Sequence, residues 1–249
     1  MMESQKKFYL LVVAILVMAY PATPAAHADV RSQVSQATSG FKDITLTCKV
    51  LYADLAELKK IGKDFPKSYE FKSTTVLYKA PDKMKMEGKL GILTVAVVMN
   101  GDRKGILIPA IRYSKKESIK GKPHKRQTDL DIGILSDSLW RDYIVLGIAN
   151  EKGSGGALYK ITFIRENARE KHHICWIDAK TFKLLKLEKH ESDGSLKSKF
   201  IYSKHSLIGG LVWVPGRIDV YNQDGKLAGT TAYENVKLNT GIPDSEFKI

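Results

Sequence analysis

Apolar and polar residues alternate along most of this chain. Ile44, Leu46, Cys48 and Val50 are interleaved with Asp43, Thr45, Thr47 and Lys49, the period of two of a half-buried strand. Residues 68–78 repeat the pattern, with Tyr69, Phe71, Ser73, Thr75 and Leu77 on one face. Further strands are predicted at 83–87, 92–99, 104–113, 144–149, 158–164, 173–177, 184–190, 197–203, 212–221 and 227–238. Asn100-Gly101, Asp193-Gly194 and Asp224-Gly225 are turn dipeptides suited to tight hairpins. Successive hairpins, with no parallel βαβ unit and no fixed repeat, predict one large antiparallel meander, open or partly closed.

Two stretches carry helical spacing instead. Val30, Val34, Ala37 and Phe41 form one apolar stripe that Ser39-Gly40 ends. Between 128 and 143 the residues Leu130, Ile134, Leu135, Leu139, Trp140 and Tyr143 recur at roughly helical intervals, with Thr128 or Asp129 as cap. A Lys-rich stretch at 56–67 reads as a long turn or a short helix ended by Pro66. An open sheet must cover its apolar face, and the two amphipathic segments are the candidates. A cavity beneath such a cover would suit an acyl chain or another apolar ligand.

The first residues add a destination. Lys6 and Lys7, the uncharged run from Phe8 to Ala19, and Ala26-His27-Ala28 before Asp29 match a cleavable secretory signal peptide over residues 1–28. The run is shorter than the roughly 20 residues of a spanning helix. No Cys lies near the cut, so the mature end carries no lipid. Residues 29–249 are then one domain, soluble and exported.

A formal net charge of +13 favours anionic partners, and export makes nucleic acid the least suitable of them. Lys115, Lys116, Lys120, Lys122, Lys125 and Arg126 crowd one stretch, read either as a solvated loop or as a basic docking loop.

The chemistry of catalysis is missing. No nucleophile elbow, P-loop, dinucleotide fingerprint or His-Glu-Xaa-Xaa-His motif occurs, and Gly153-Ser154-Gly155-Gly156 reads as a hairpin tip. A turn at 178–183 would bring His172 and His190 together, with His173 on the other face. Two imidazoles fall short of the three or four ligands a metal site needs, so neither metal nor cofactor is expected. Cys48 and Cys175 are free to bridge in an oxidising compartment, or to stay apart.

Several stretches resemble the periplasmic lipoprotein-sorting family of LolA/LolB-like carriers. The segment from Tyr78-Lys79-Ala80-Pro81-Asp82-Lys83 to Met84-Lys85-Met86-Glu87 looks like that family's strand start, followed by an apolar strand and Asn100-Gly101-Asp102. Cys175-Trp176-Ile177-Asp178-Ala179-Lys180-Thr181 is similar to its Asp-Xaa-Xaa-Thr hairpin. Tyr233-Glu234-Asn235-Val236-Lys237-Leu238-Asn239, then Ile242-Pro243-Asp244-Ser245-Glu246-Phe247, is similar to its last strand and Phe-bearing turn.

The resemblance implies a mainly β fold: a curved antiparallel half-barrel sheet with helices as a lid over an apolar cavity. It implies a periplasmic, non-enzymatic binding and transport protein that holds lipoprotein acyl chains or a related ligand during envelope lipoprotein sorting. Met84, Met86, Val95, Val97, Leu107, Leu135, Leu139 and Trp213 are the expected lining. The alternative is an envelope stress sensor or interaction module that docks membrane proteins, or an anionic membrane surface, through the basic loop.

Overall fold

The computed structural model describes residues 24–122, 125–165 and 168–249. The expected signal peptide falls largely outside them. Helix α1 (Pro24–Ala37) continues across the expected cut, and Val30 and Val34 are its buried stripe. Strand β1 (Asp43–Ala53) follows, then helices α2 (Leu55–Ile61) and α3 (Phe65–Tyr69). The Asp54 carboxylate caps α2 by accepting from the Ala56 and Glu57 N–H groups. Pro66 opens α3 rather than ending a helix, because a first-turn N–H needs no partner. The strand expected at 68–78 is therefore shorter.

Strands β2 (Ser73–Lys79), β3 (Lys83–Leu90), β4 (Leu93–Asn100), β5 (Arg103–Ile108) and β6 (Tyr113–Ser118) complete a first meander. Helix α4 (Ser138–Asp142) precedes a second, built of β7 (Ile144–Gly153), β8 (Gly156–Arg165), β9 (Ala168–Asp178), β10 (Leu184–His190) and β11 (Leu196–Ser203). β12 (Ser206–Ile208) and β13 (Val212–Val214) form a separate two-stranded ribbon. β14 (Arg217–Asn222) and β15 (Leu227–Leu238) return to the main sheet. The three turn dipeptides sit at the β4–β5, β10–β11 and β14–β15 hairpins, as their composition predicts.

The protein is mainly β: thirteen antiparallel strands in the order β6-β5-β4-β3-β2-β1-β15-β14-β11-β10-β9-β8-β7, with few short helices. The two meanders are joined by β15, which pairs with both β1 and β14. Among the described residues β6 and β7 are unjoined edges, so the sheet is open. No helix of the described residues is long and apolar enough to cross a membrane.

Three expectations need correction. The stretch 104–113 is not one strand: Pro109 starts a 3-10 turn (Pro109–Ile111) and the chain reverses into β6. The stretch 212–221 breaks at Pro215-Gly216, separating the ribbon strand β13 from β14. The segment 128–143 is not one helix. Thr128 and Asp131 form a capping box on a 3-10 turn (Asp129–Ile132), and Gly133 ends that turn with φ of 79°. A Cβ at Gly133 would lie 2.8 Å from Tyr202 and Pro215, so close packing and a left-handed backbone coincide there. Asp129 then accepts from the hydroxyls of Ser136 and Ser138, which holds the chain off the helical path until α4.

Each face of the sheet has its own cover. On one face, α1, α2 and the 129–143 segment pack onto Ile161, Phe163, Cys175, Ile177 and Leu187. On the other, the C-terminal tail brings Ile242 and Phe247 against Ala96 and Val98. We call them the helix-covered and tail-covered faces.

Candidate functional site

Alternation decides what faces the helices. In β4, Val95, Val97 and Met99 turn to the helix-covered face, and Ala96 and Val98 to the tail. Cys48, Val76, Met84 and Met86 share the helix-covered side with them. The cover stops short over β1–β5. Helix α3 guards one border, where Tyr69 lies against Gly229 of β15 so closely that a Cβ there would be 2.4 Å from its ring. The 127–132 segment guards the other.

Three recesses open between these borders, and Gln127 lines all of them. One, about 210 Å³, is apolar and aromatic, with Phe65, Tyr69, Met84, Met86, Phe200 and Tyr233 in its wall. A second, about 660 Å³, runs over Phe71, Met86, Val95, Val97 and Ile106 to Lys104 and Lys115. The third, about 420 Å³, is basic, with Lys104, Lys125, Arg126, Arg165, Lys171, Lys189 and Lys197 around Asp131.

The electrostatics of the basic recess follow from its packing. Burial raises the Asp131 carboxyl, but Lys189, Arg165 and the Thr128 N–H outweigh it and hold the group below its ordinary value. Lys189 Nζ lies 3.2 Å and Arg165 NH2 3.5 Å from that carboxylate. Burial, then Lys189 and Arg165, push His173 down to about 3, so it is a neutral imidazole here. Arg126 Nε, Gln127 Oε1 and His173 Nδ1 are buried with no hydrogen-bond partner among the described residues.

The expected lining divides. Met84, Met86, Val95 and Val97 line the apolar recesses. Leu135 and Leu139 are buried side chains of the cover itself and border none of the three. Leu107 packs under the tail with Ile242 and Phe247, because it alternates with Ile106. Trp213 sits on the β12–β13 ribbon beneath Lys183 Nζ, 3.8 Å from its ring centroid. Phe65 and Gln127 escape sequence reasoning, since only the packing of α3 and the 127–132 segment brings them there. Phe71, expected on one face with Leu77, lines the recesses while Leu77 packs under the tail. Cys48 and Val50 were marked by the β1 alternation.

The basic stretch is not one loop. Lys115 and Lys116 belong to edge strand β6, where alternation sends them to opposite faces. Lys120 and Lys122 follow in a turn, while Lys125 pairs with Glu117 and Arg126 with Asp102. The His172 and His190 rings do stack, 4.9 Å apart and 6° from parallel. Among the described residues no three His, Cys, Asp or Glu side chains gather as a metal site.

Both cysteines are free. Burial pushes the Cys48 thiol up to about 11 and the Cys175 thiol up to about 12. Both are therefore unreactive thiols at neutral pH. Mass spectrometry is expected to find no change on reduction, and at about pH 8 iodoacetamide should label both cysteines far faster in denaturant than in the native protein. A mass gain of two hydrogens on reduction would contradict the free-thiol geometry.

The architecture has counterparts among solved structures. A LolA superfamily protein from Nitrosomonas europaea matches with a TM-score of 0.62 at 16% identity, covering 89% of this chain and 97% of that one. This chain shares the fold of that protein. An outer membrane lipoprotein-sorting protein domain from Vibrio parahaemolyticus matches with a TM-score of 0.57 at 13% identity, covering 88% and 95%. A DUF1329 family protein from Desulfovibrio piger gives 0.55 at 14% identity, covering 90% and 96%. No protein-family model and no curated protein matches the sequence. The three recesses thus lie on the helix-covered face of a LolA-like sheet.

Proposed function

We propose that this protein is an exported, periplasmic carrier that holds lipoprotein acyl chains or a related lipid in a cavity on the helix-covered face. In this reading the open sheet is a curved half-barrel, and α1, α2 and the 129–143 segment are its lid. The carrying observation is the pair of apolar recesses over Met84, Met86, Val95 and Val97 within a LolA-like fold. The larger, about 660 Å³, falls in the range of roughly 300–1,000 Å³ common to ligand sites. At roughly 0.8 kcal/mol per buried CH₂, a 16-carbon chain gains on the order of 10 kcal/mol before ordering costs. Affinity then needs shape and apolarity rather than specific contacts, which suits a carrier better than a catalyst. Export rests on Lys6, Lys7, the Phe8–Ala19 run and Ala26-His27-Ala28.

Filling the recess tests the reading. Val97 is half-buried at the recess wall, so Val97→Trp projects an indole into open space. The variant is expected to bind a fluorescent 16-carbon fatty acid at least about tenfold more weakly, while its melting midpoint moves by only about 2 °C. Unaltered binding in a folded variant would remove the recess from the function, and no binding by the wild-type protein would remove the function itself.

A further inference from the structure

The basic recess is not required by an acyl-chain carrier, and it carries more positive charge than its own carboxylates offset. Seven cationic side chains line it. Lys125 and Arg126 each hold one carboxylate, Glu117 and Asp102. The other pairs share: Arg165 and Lys189 meet on Asp131, and Lys171 and Lys197 on Glu191. Lys104 makes no ion pair among the described residues. The cluster therefore keeps an excess of positive charge within a recess of about 420 Å³.

A second observation is independent of charge counting. Arg126 Nε and His173 Nδ1 are buried without a partner among the described residues, and both residues line this recess. Arg126 Nε is always a donor, and His173 Nδ1 is one in the tautomer that carries its proton there. A buried donor left unpaired costs free energy that a bound acceptor would recover. Planar guanidinium and clustered ammonium groups match phosphate oxygens in particular.

The third observation is continuity. Lys104 and Gln127 line both the basic recess and the 660 Å³ apolar recess. Lys104 is paired with Met99 and Ile106 with Val97, so the surface passes from charge to hydrocarbon along β4 and β5. From the level of Met99 to that of Val95 is four residues, about 13 Å at roughly 3.3 Å per residue.

We propose that the basic recess is a head-group site, and that the cargo is an anionic amphiphile bearing a phosphate, its head at Arg126, Lys104 and His173 and its chain over Val97 and Val95. The inference rests on the carrier reading and narrows its ligand class. A free phosphate ion shares the head-group chemistry, and the chain contact is what separates the two.

The test compares three probes by isothermal titration: 1-palmitoyl lysophosphatidic acid, 1-palmitoylglycerol and inorganic phosphate. The wild-type protein is expected to prefer the phosphate-bearing lipid over the glycerol ester by about tenfold or more, and to bind inorganic phosphate far more weakly than either. Raising the salt concentration should shrink the preference, because screening acts on the head group alone. In the triple variant Arg126→Gln, Lys171→Gln, Lys197→Gln, whose side chains line the basic recess and neither apolar one, the preference should fall to about twofold or less, with glycerol-ester affinity retained. Equal wild-type affinity for the two lipids overturns the proposal while leaving the carrier reading intact. Equal loss of both lipids in the variant also overturns it. Phosphate binding as tight as the phospholipid's shows a small-anion site and overturns it as well. Failure of both lipids to bind sinks the carrier reading first.

Discussion

Phe247→Ala is expected to destabilise the protein by about 3–5 kcal/mol, the usual cost of removing a fully buried aromatic ring. Phe247 is wholly buried near the end of the chain, in a 3-10 turn (Asp244–Phe247) lying on β3 and β4. Its ring fills the tail-covered face against Ala96, Val98 and Ile242, with Leu77, Leu107 and Ile249 around it.

The tail is tied down from Thr240 to Phe247. Asp43 accepts from the Thr240 N–H at 2.8 Å and the Gly241 N–H at 3.1 Å. Hydrogen bonds from Lys79 and Lys83 draw the Asp244 carboxyl down to about 2. Asn100 Nδ2 donates to the Phe247 carbonyl at 3.2 Å. These ties hold the backbone in place, so the truncated site cannot collapse readily and the cavity cost is retained. For a domain of this size the melting midpoint should fall by roughly 10 °C. Glu246→Gln, which removes one of the two exposed carboxylate partners of Lys85, should leave the midpoint near wild type. Equal midpoints for Phe247→Ala and wild type would show that the tail does not seal this face.

The second large effect depends on pH. Asp129 is wholly buried, and burial pushes its carboxyl up to about 6 from its ordinary value near 3.8, although the Ser136 and Ser138 hydroxyls pull it back. The folded protein therefore holds this proton more tightly than the unfolded chain does. Its stabilising contribution is complete below about pH 4 and is lost as pH rises through about 6. Two pKa units correspond to roughly 3 kcal/mol. Asp129→Asn lacks the titration while keeping an acceptor for the two serines. The stability difference between variant and wild type, from urea unfolding at a series of pH values, should shift in the variant's favour by up to about 3 kcal/mol between pH 4 and pH 7. A difference independent of pH across that window would show that Asp129 ionises without cost. The carboxylates held low by ion pairs, Asp131 and Asp244 among them, shift stability in the opposite sense at lower pH in both proteins, so the comparison cancels them.

Much of the fold was legible because it is local. The predicted strands at 184–190 and 227–238 coincide with β10 and β15, since alternation and flanking turns mark both ends. The His172–His190 stack followed from one turn placed correctly. Legibility failed where a short polar contact overrides periodicity. The apolar residues of 128–143 are buried, Trp140 partly so, as their spacing demands, but Asp129 bound to Ser136 and Ser138, with Gly133 between, replaces one helix with a 3-10 turn and the short helix α4. Among the expected lining residues, Met84, Met86, Val95 and Val97 reach the recesses while Leu107, Leu135, Leu139 and Trp213 do not. Ile106 and Leu107 are equally apolar, and only the tail's position tells which of them is covered.

By itself the sequence determined an antiparallel sheet of hairpins, its turns, an amphipathic helix at Val30 and Val34, and a basic surface. Those properties depend on neighbours a few residues apart, where backbone geometry and side-chain period act directly. Tertiary structure alone decided that β15 joins the two meanders, that Val95 and Val97 rather than Ala96 and Val98 face the helices, and that cations from β5, β8, β9, β10 and β11 meet residues 125–127 in one recess. Strand pairing across nearly the whole chain and the choice of a covered face are set by long-range burial, to which a period of two is blind.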